Sequence, residues 1–215
     1  HLFPNITPYA YCNWNPIKFV DPDGKEVIIS IPTNQTIHYN AAKNYQKYSD
    51  SPTMITLIAH GVIPKGGHYA IKVAIAENKV TSALLATYIK GNSKLWQENG
   101  KQQKTQLVIL SACYTGKIGK QTDGSFQSFG QKLSQNLKQN YHGDVYVVAP
   151  EGGVYVETGF GGILGDFNVF GYPYIDGAYT NDSKKTPSLW NIYRNGEFVR
   201  CIRQVKIPTE NQILE

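Results

Sequence analysis

The chain has 215 residues, a formal net charge of +5, 41% hydrophobic residues and 17% charged residues. This composition is that of a folded globular protein and excludes an intrinsically disordered chain. The positive charge is spread over single lysines, without the basic stripe and interleaved aromatics of a nucleic-acid-binding surface. No apolar stretch reaches the roughly 20 residues that a membrane-spanning helix needs. We therefore expect no nucleic-acid partner and no membrane insertion.

Three widely spaced cysteines, Cys12, Cys113 and Cys201, do not form a disulfide framework, and no C-x-x-C metal pattern occurs. At most one disulfide, between Cys12 and Cys201, is compatible with this count. We expect neither a metal nor an organic cofactor. The 15 Tyr and 20 Gly favour a sheet-rich and loop-rich protein of the secreted or cell-envelope type.

Residues 1–26 differ from the rest, because they are dense in Pro, Asn, Asp and aromatic residues. Pro22-Asp23-Gly24 predicts a turn, since proline fixes φ and glycine supplies positive φ. The segment resembles the motif Y-x-Y-x-x-N-N-P-x-x-x-x-D-P-x-G, which ends the core domain of bacterial RHS/YD-repeat proteins. The matching residues are Tyr9, Tyr11, Asn15, Pro16, Asp21, Pro22 and Gly24.

In RHS proteins this segment precedes a variable C-terminal effector domain. The resemblance implies a bacterial, secreted or cell-envelope protein, with an RHS shell or a cognate immunity protein as partners. Paired aspartates near the motif can drive self-cleavage in that family, with Leu directly after the Gly. Lys25 stands at that position here, so we expect no self-cleavage by Asp21 and Asp23. We divide the chain into an RHS-core-like segment, 1–26, and one α/β domain, 27–215.

From residue 26 onwards, strand and helix patterns alternate, which predicts an α/β fold with a mostly parallel central sheet. The predicted strands are 26–31, 54–59, 69–76, 106–110 and 144–149, and the predicted helices are 36–48, 81–89 and 128–140. Gly- and Tyr-rich loops follow residue 153. A C-terminal β-hairpin closes the chain, with arms 190–194 and 197–205 and Asn195-Gly196 at its turn.

Two of the buried strands end in reactive residues, His60 and Cys113. The carboxyl ends of parallel strands form the crevice in which α/β sheets build their active sites. A nearby imidazole lowers the pKa of a thiol or takes its proton, as a nucleophilic cysteine requires. The backbone N–H groups of Gly61 and Cys113 are candidate oxyanion donors, since Gly61 has no side chain to block a substrate carbonyl.

An apolar strand ending in His60-Gly61, followed by one ending in Ala112-Cys113, resembles the signature of caspase-like (clan CD) cysteine peptidases. The resemblance covers roughly residues 50–160. It implies a caspase-like three-layer sandwich and a cysteine endopeptidase that forms a thioester at Cys113, with His60 as general base and acid. The substrate would be a peptide or protein, and the domain an effector or a processing peptidase.

In this clan the specificity pocket comes from loops after the Cys strand and after the next strand. Asp123, Glu151 and Gly152 lie in those loops and are the candidate substrate-binding residues. The two carboxylates would bind a basic side chain, and the Gly152-Gly153 pair would let a peptide approach the backbone. Solvated loop carboxylates are the alternative interpretation of Asp123 and Glu151.

Other hypotheses stay open at this point. Cys113 at the end of a buried strand is also compatible with a small core residue, and the fold with a non-catalytic toxin or binding module. A nucleic-acid-cleaving effector would need clusters of His, Asp, Glu and Lys that the sequence lacks. His68 is the rival base. Ser111 is the rival nucleophile, with a side chain expected to point away from the Cys113 side.

Overall fold

The structure, a computed structural model, describes residues 26–48, 53–62, 72–75, 78–120, 124–157, 173–180 and 186–215. Residues 1–25 of the RHS-like segment lie outside the described residues, and so do Cys12, His68 and Asp123. The predictions made for them, including the absence of self-cleavage by Asp21 and Asp23, stay predictions.

Thirteen strands and five helices lie within these ranges. In chain order they are β1 (Glu26–Ile29), α1 (Thr36–Tyr48), β2 (Met54–Ile58), β3 (His60–Val62), β4 (Lys72–Ile75), β5 (Asn78–Val80), α2 (Ser82–Asn92), α3 (Lys94–Lys101), β6 (Gln106–Ser111), β7 (Ile118–Lys120), β8 (Phe126–Ser128), α4 (Phe129–Lys138), β9 (Val145–Pro150), β10 (Gly153–Glu157), β11 (Tyr174–Tyr179), β12 (Leu189–Arg194), β13 (Glu197–Arg203) and α5 (Glu210–Leu214).

A six-stranded sheet, in the order β1-β2-β6-β9-β12-β13, forms the centre of the fold. Its first four strands are parallel, β12 is antiparallel to β9, and β13 is antiparallel to β12. The predicted α/β fold with a mostly parallel central sheet is confirmed. Every residue of β2 and β6 is buried, as expected of parallel strands covered on both faces.

The sheet separates two sides of the core. On one side, α2, α3 and α4 pack against Leu57, Leu110 and their neighbours. On the other side lie α1, α5 and the ribbon of β10 and β11, which contact a second set of strand residues that includes Ile58 and Ile109. Successive strand residues point to opposite faces, so the two apolar sets alternate along each strand. The result is a layered α/β arrangement.

Three helices begin at residues with a capping hydroxyl, as the sequence pattern favours. The side chains of Thr81, Ser93 and Ser128 accept hydrogen bonds from main-chain N–H groups in the first turns of α2, α3 and α4. In α4, Leu133 and Leu137 are buried, which agrees with their four-residue spacing. Burial of this face, together with the caps, explains why these segments are helical.

The C-terminal β-hairpin is confirmed. Asn195 has φ of 54° and Gly196 has φ of 95°, the positive values that a type I′ turn requires at both central residues. The turn therefore joins β12 to β13 directly and closes the sheet with an antiparallel edge.

Several elements differ from the sequence-based expectations. The predicted strand 69–76 corresponds to β4, which pairs with β3 and β5 in a separate antiparallel sheet. The stretch predicted as loops after residue 153 contains an antiparallel ribbon, β10 and β11. Helices α3 and α5 were not predicted. Among the described residues, no helix is both long enough and apolar enough to cross a membrane.

Candidate active site

His60 and Cys113 follow neighbouring parallel strands, as the sequence predicts. Strand β2 pairs with β6 in a register that sets Ile58 opposite Ser111, and the ladder continues with a hydrogen bond from Ala59 N–H to the Ser111 carbonyl at 3.3 Å. Two residues further along each strand are His60 and Cys113. The topology thus brings both residues to the carboxyl edge of the sheet.

Both side chains have partners on the α1 side of the sheet. His60 contacts two residues at the start of α1, and Cys113 contacts Val154 in the β10–β11 ribbon. Ile58 and Ile109, which lie an even number of residues earlier, face the same side. His60 and Cys113 therefore lie on the same side of the sheet, the side of α1 and the ribbon.

Gly61 lies directly against the main chain of Cys113. A Cβ atom built on Gly61 would fall 1.8 Å from the Cys113 carbonyl oxygen and 2.9 Å from its nitrogen. Both distances are shorter than carbon contacts allow, so only glycine fits between His60 and this neighbour. From the sequence, we expected this glycine to leave room for a substrate carbonyl. The structure shows that it is also needed for the packing of the two main chains.

The His60 imidazole is fixed from the start of α1. Its Nε2 lies 2.5 Å from Oε1 of Gln35. The ring of His38 packs against it edge to face, with centroids 5.5 Å apart and an angle of 67° between the planes. Burial lowers the pKa of His60, and the nearby His38 acts in the same direction.

The Cys113 thiol is enclosed by main-chain groups. The Val154 N–H, in β10, donates to Sγ at 3.2 Å, and the thiol donates to the Val154 carbonyl at 3.7 Å. Burial raises the pKa of Cys113, and the N–H groups of Val154, Cys113 and Gly61 act in the opposite direction. Both N–H groups expected to bind a substrate oxyanion thus stabilise negative charge on the sulfur.

Burial dominates at both side chains, so each is shifted towards its neutral form. The sequence predicts a raised thiolate fraction at neutral pH, because an imidazole stands near. The raised pKa of Cys113 and the lowered pKa of His60 act against such a preformed ion pair. This arrangement suits a neutral thiol that loses its proton to a neutral imidazole during attack.

The chain turns sharply directly after Cys113. Tyr114 has φ of 61°, in the left-handed region that costs a non-glycine residue about 1 kcal/mol. Hydrogen bonds from Tyr114 N–H to the Gly152 carbonyl and from Gly116 N–H to the Pro150 carbonyl, both 2.8 Å, tie the turn to the end of β9. The nucleophile candidate therefore stands on a rigid corner.

Ser111, the rival nucleophile, is 1% exposed, and its hydroxyl has no hydrogen-bond partner within the described residues. The expectation that it points away from the Cys113 side was wrong. Ser111 lies two positions before Cys113, and Ile109, two positions before Ser111, faces the α1 and α5 side. Strand alternation therefore gives Ser111 that same side.

The described substrate-binding candidates have partners within the chain. Asn191 donates to Glu151 Oε1 at 2.8 Å. Gly152 N–H donates to Ser188 Oγ at 2.7 Å, and a Cβ on Gly152 would fall 1.8 Å from the Tyr179 carbonyl oxygen. The close backbone approach inferred at Gly152 is thus made by β11 of the same chain. Binding of substrate by Glu151 and Gly152 stays a prediction.

Three residues around the site, Gln35, His38 and Val154, could not be identified from the sequence. Gln35 and His38 lie 25 and 22 residues before His60, on a segment whose only sequence signal was a helix start. Val154 lay in a segment assigned to loops. A polar pair at a helix start preceding the His strand was the one available signal for Gln35 and His38.

Within the described ranges, no three His, Cys, Asp or Glu side chains cluster as metal ligands would. Comparison of the chain with protein-family models, with curated proteins and with solved structures gave no match.

Proposed function

We propose that this chain is a caspase-like cysteine endopeptidase in which Cys113 is the nucleophile and His60 the general base and acid. One observation carries the proposal. The two residues follow hydrogen-bonded parallel strands in matching register, and Gly61 packs on the main chain of Cys113. A thiol, an imidazole and two main-chain N–H groups at one sheet edge are the parts that acyl transfer needs.

The proposed reaction has two steps. The Cys113 Sγ attacks the peptide carbonyl carbon while His60 takes the thiol proton, and the C–N bond breaks as His60 passes that proton to the leaving amine. Water then attacks the thioester, giving one proton to His60, and the proton returns to Sγ as the acid leaves. The Gly61 and Cys113 N–H groups would bind the oxyanion in both steps.

The Val154 main chain bears on how substrate would reach the sulfur. It contacts Sγ through both its N–H and its carbonyl. A substrate carbonyl has to replace these contacts, so binding would include a movement of the start of β10. Under this proposal, the arrangement would be the resting state of the enzyme.

A second function, a non-catalytic module with the same fold, is favoured by that same capping of Sγ and by the raised pKa of Cys113. As a peptidase, the chain would be an effector or processing domain of a secreted bacterial RHS-type protein, with a peptide or protein as substrate. As a non-catalytic module, it would be a toxin or binding domain of such a protein. An RHS shell or an immunity protein would be a partner in either case. Residues 1–26 carry this part of the proposal.

The test is cleavage of a mixed peptide library by the purified chain, followed by mass spectrometry. Cys113→Ala, Cys113→Ser and His60→Ala should each lower cleavage by at least about a thousandfold while the circular dichroism spectrum is kept. Cys201→Ala, on the exposed β13, is the matched control and should leave cleavage unchanged. Two outcomes would support the non-catalytic module. Either the Cys113 and His60 variants cleave the library as well as the wild type does, or no chain cleaves it, the wild type included.

A further inference from the structure

The main chain of Gln35, which lies beside His60, is held by two hydrogen bonds. Its N–H donates to the Pro32 carbonyl at 3.0 Å, and its own carbonyl accepts the Tyr39 N–H at 2.9 Å in the first turn of α1. The main chain of Gln35 is therefore part of the helix start. Its side chain reaches from there to His60 Nε2 through Oε1.

The chemistry of this contact decides which imidazole nitrogen carries the proton. An amide oxygen only accepts hydrogen bonds, so the facing Nε2 has to be the donor. A neutral imidazole holds one proton, which leaves Nδ1 with the free electron pair. We propose that Gln35 is a positioning residue that keeps His60 protonated at Nε2, so that Nδ1 takes the proton of Cys113. The second half of this inference rests on the proposed function.

Among the described residues, the titratable His38 packs on the His60 ring from α1, and Cys113 lies at the end of β6 with its main chain against Gly61. A positive charge on His38 opposes a positive charge on His60. Gln35 acts in the opposite sense, because its oxygen accepts more strongly from an imidazolium than from a neutral ring.

Two substitutions at this position should therefore move His60 in opposite directions. Gln35→Leu removes the acceptor, so the pKa of His60 should fall and the ring should lose its fixed orientation. Gln35→Glu keeps an acceptor and adds a negative charge, so the pKa of His60 should rise. Asn34→Leu, at the exposed neighbouring residue, is the matched control and should move neither property.

The measurement is an NMR titration of the ¹⁵N-labelled imidazoles in the full 215-residue chain, with His60 assigned from His60→Gln. We expect the neutral ring to carry its proton on Nε2. The pKa of His60 should be lowest in Gln35→Leu, intermediate in the wild type and highest in Gln35→Glu. A neutral ring protonated at Nδ1, or a pKa in Gln35→Leu equal to that in Asn34→Leu, overturns the proposal.

A second readout links the orientation to the thiol. Iodoacetamide labelling of Cys113 near neutral pH should slow about fivefold in Gln35→Leu, the effect of one modest hydrogen bond, and recover in Gln35→Glu. Unchanged labelling in Gln35→Leu contradicts the role of Gln35 in proton transfer. Failure of the peptidase proposal is seen separately, as cleavage that does not depend on Cys113, and leaves the NMR result unaffected.

Discussion

Cys113 and His60 occupy surroundings that favour their uncharged forms. Burial raises the pKa of the thiol and lowers that of the imidazole. Three N–H groups around Sγ oppose the effect on the thiol without outweighing it. A thiol in this state is protected from oxidation and from unselective alkylation, both of which depend on the thiolate. Its reactivity would then depend on the base that removes the proton.

A pH profile of alkylation tests this description. In a Cys12→Ser, Cys201→Ser chain, only Cys113 reacts with iodoacetamide. The pKa of Cys113 in the folded chain lies above the ordinary thiol value. The labelling rate of a free thiol, with a pKa of about 8.5, levels off above that pH. The labelling rate of Cys113 should still be rising there. Quenched time points analysed by mass spectrometry give the rate at each pH.

The same chain unfolded in urea is the reference for that profile, because unfolding removes both the burial and the three N–H donors. Its labelling rate should level off at lower pH than that of the folded chain. Coincident profiles would contradict the burial effect. A folded profile displaced to lower pH would instead indicate a preformed thiolate–imidazolium pair.

The placement of His60 and Cys113 could be predicted because each follows a short, mostly apolar run, and such runs are typical of buried parallel strands. The identity of the residue that holds His60 could not be predicted. Gln35 meets His60 only because α1 packs against β1 and the β10–β11 ribbon, and that packing depends on long-range contacts. The contact of Val154 with Sγ could not be predicted for the same reason, because Val154 lies 41 residues after Cys113 in the chain.

At the level of elements, the step from β2 into β3 depends on Gly61. The main chain passes so close to Cys113 that a single methyl group would overlap its carbonyl. Gly61→Ala should therefore lower the free energy of unfolding by about 3 kcal/mol, at the upper end of overpacking effects. Urea unfolding followed by tryptophan fluorescence measures this change.

Gly91→Ala is the matched control, because a Cβ at Gly91 in α2 meets no atom within 4 Å. That substitution should raise the free energy of unfolding by about 0.5 kcal/mol, since alanine is the better helix former. The contact at Gly61 would be disproved by a Gly61→Ala chain as stable as the wild type.

Elements whose pattern is local were predicted well, and those fixed by tertiary contacts were not. The Asn195-Gly196 turn and the helix face of Leu133 and Leu137 follow from short-range chemistry. Strand β11 contains Gly177, with φ of 140°, where a Cβ would fall 2.2 Å from the Val205 carbonyl oxygen. Glycine inside a strand weakens the local signal, so this strand is recognisable only from its neighbours.

On the scale of the whole molecule, the last residues of the chain complete the core. Helix α5 places Ile213 against Met54, Leu107 and Trp190, on the side of the sheet that also carries the ribbon. The Val205 carbonyl accepts a hydrogen bond from Ala178 of β11 at 2.9 Å. The C-terminal segment thus holds the ribbon, which in turn supplies Val154 to the thiol.

Substitution of two adjacent residues of similar size in α5 tests whether this helix unfolds together with the central sheet. Ile213 is 1% exposed and Leu214 is 46% exposed, on the same short helix. Ile213→Ala leaves a cavity in the core and should lower the free energy of unfolding by about 3 kcal/mol. Leu214→Ala removes a similar volume from a half-exposed site and should cost less than about 1 kcal/mol. Urea unfolding of both variants gives the two values under one set of conditions. Because Ile213 contacts residues of the central sheet, we expect α5 and the sheet to unfold in one transition. Small and equal losses of unfolding free energy in the two variants would mean that α5 unfolds independently of the sheet.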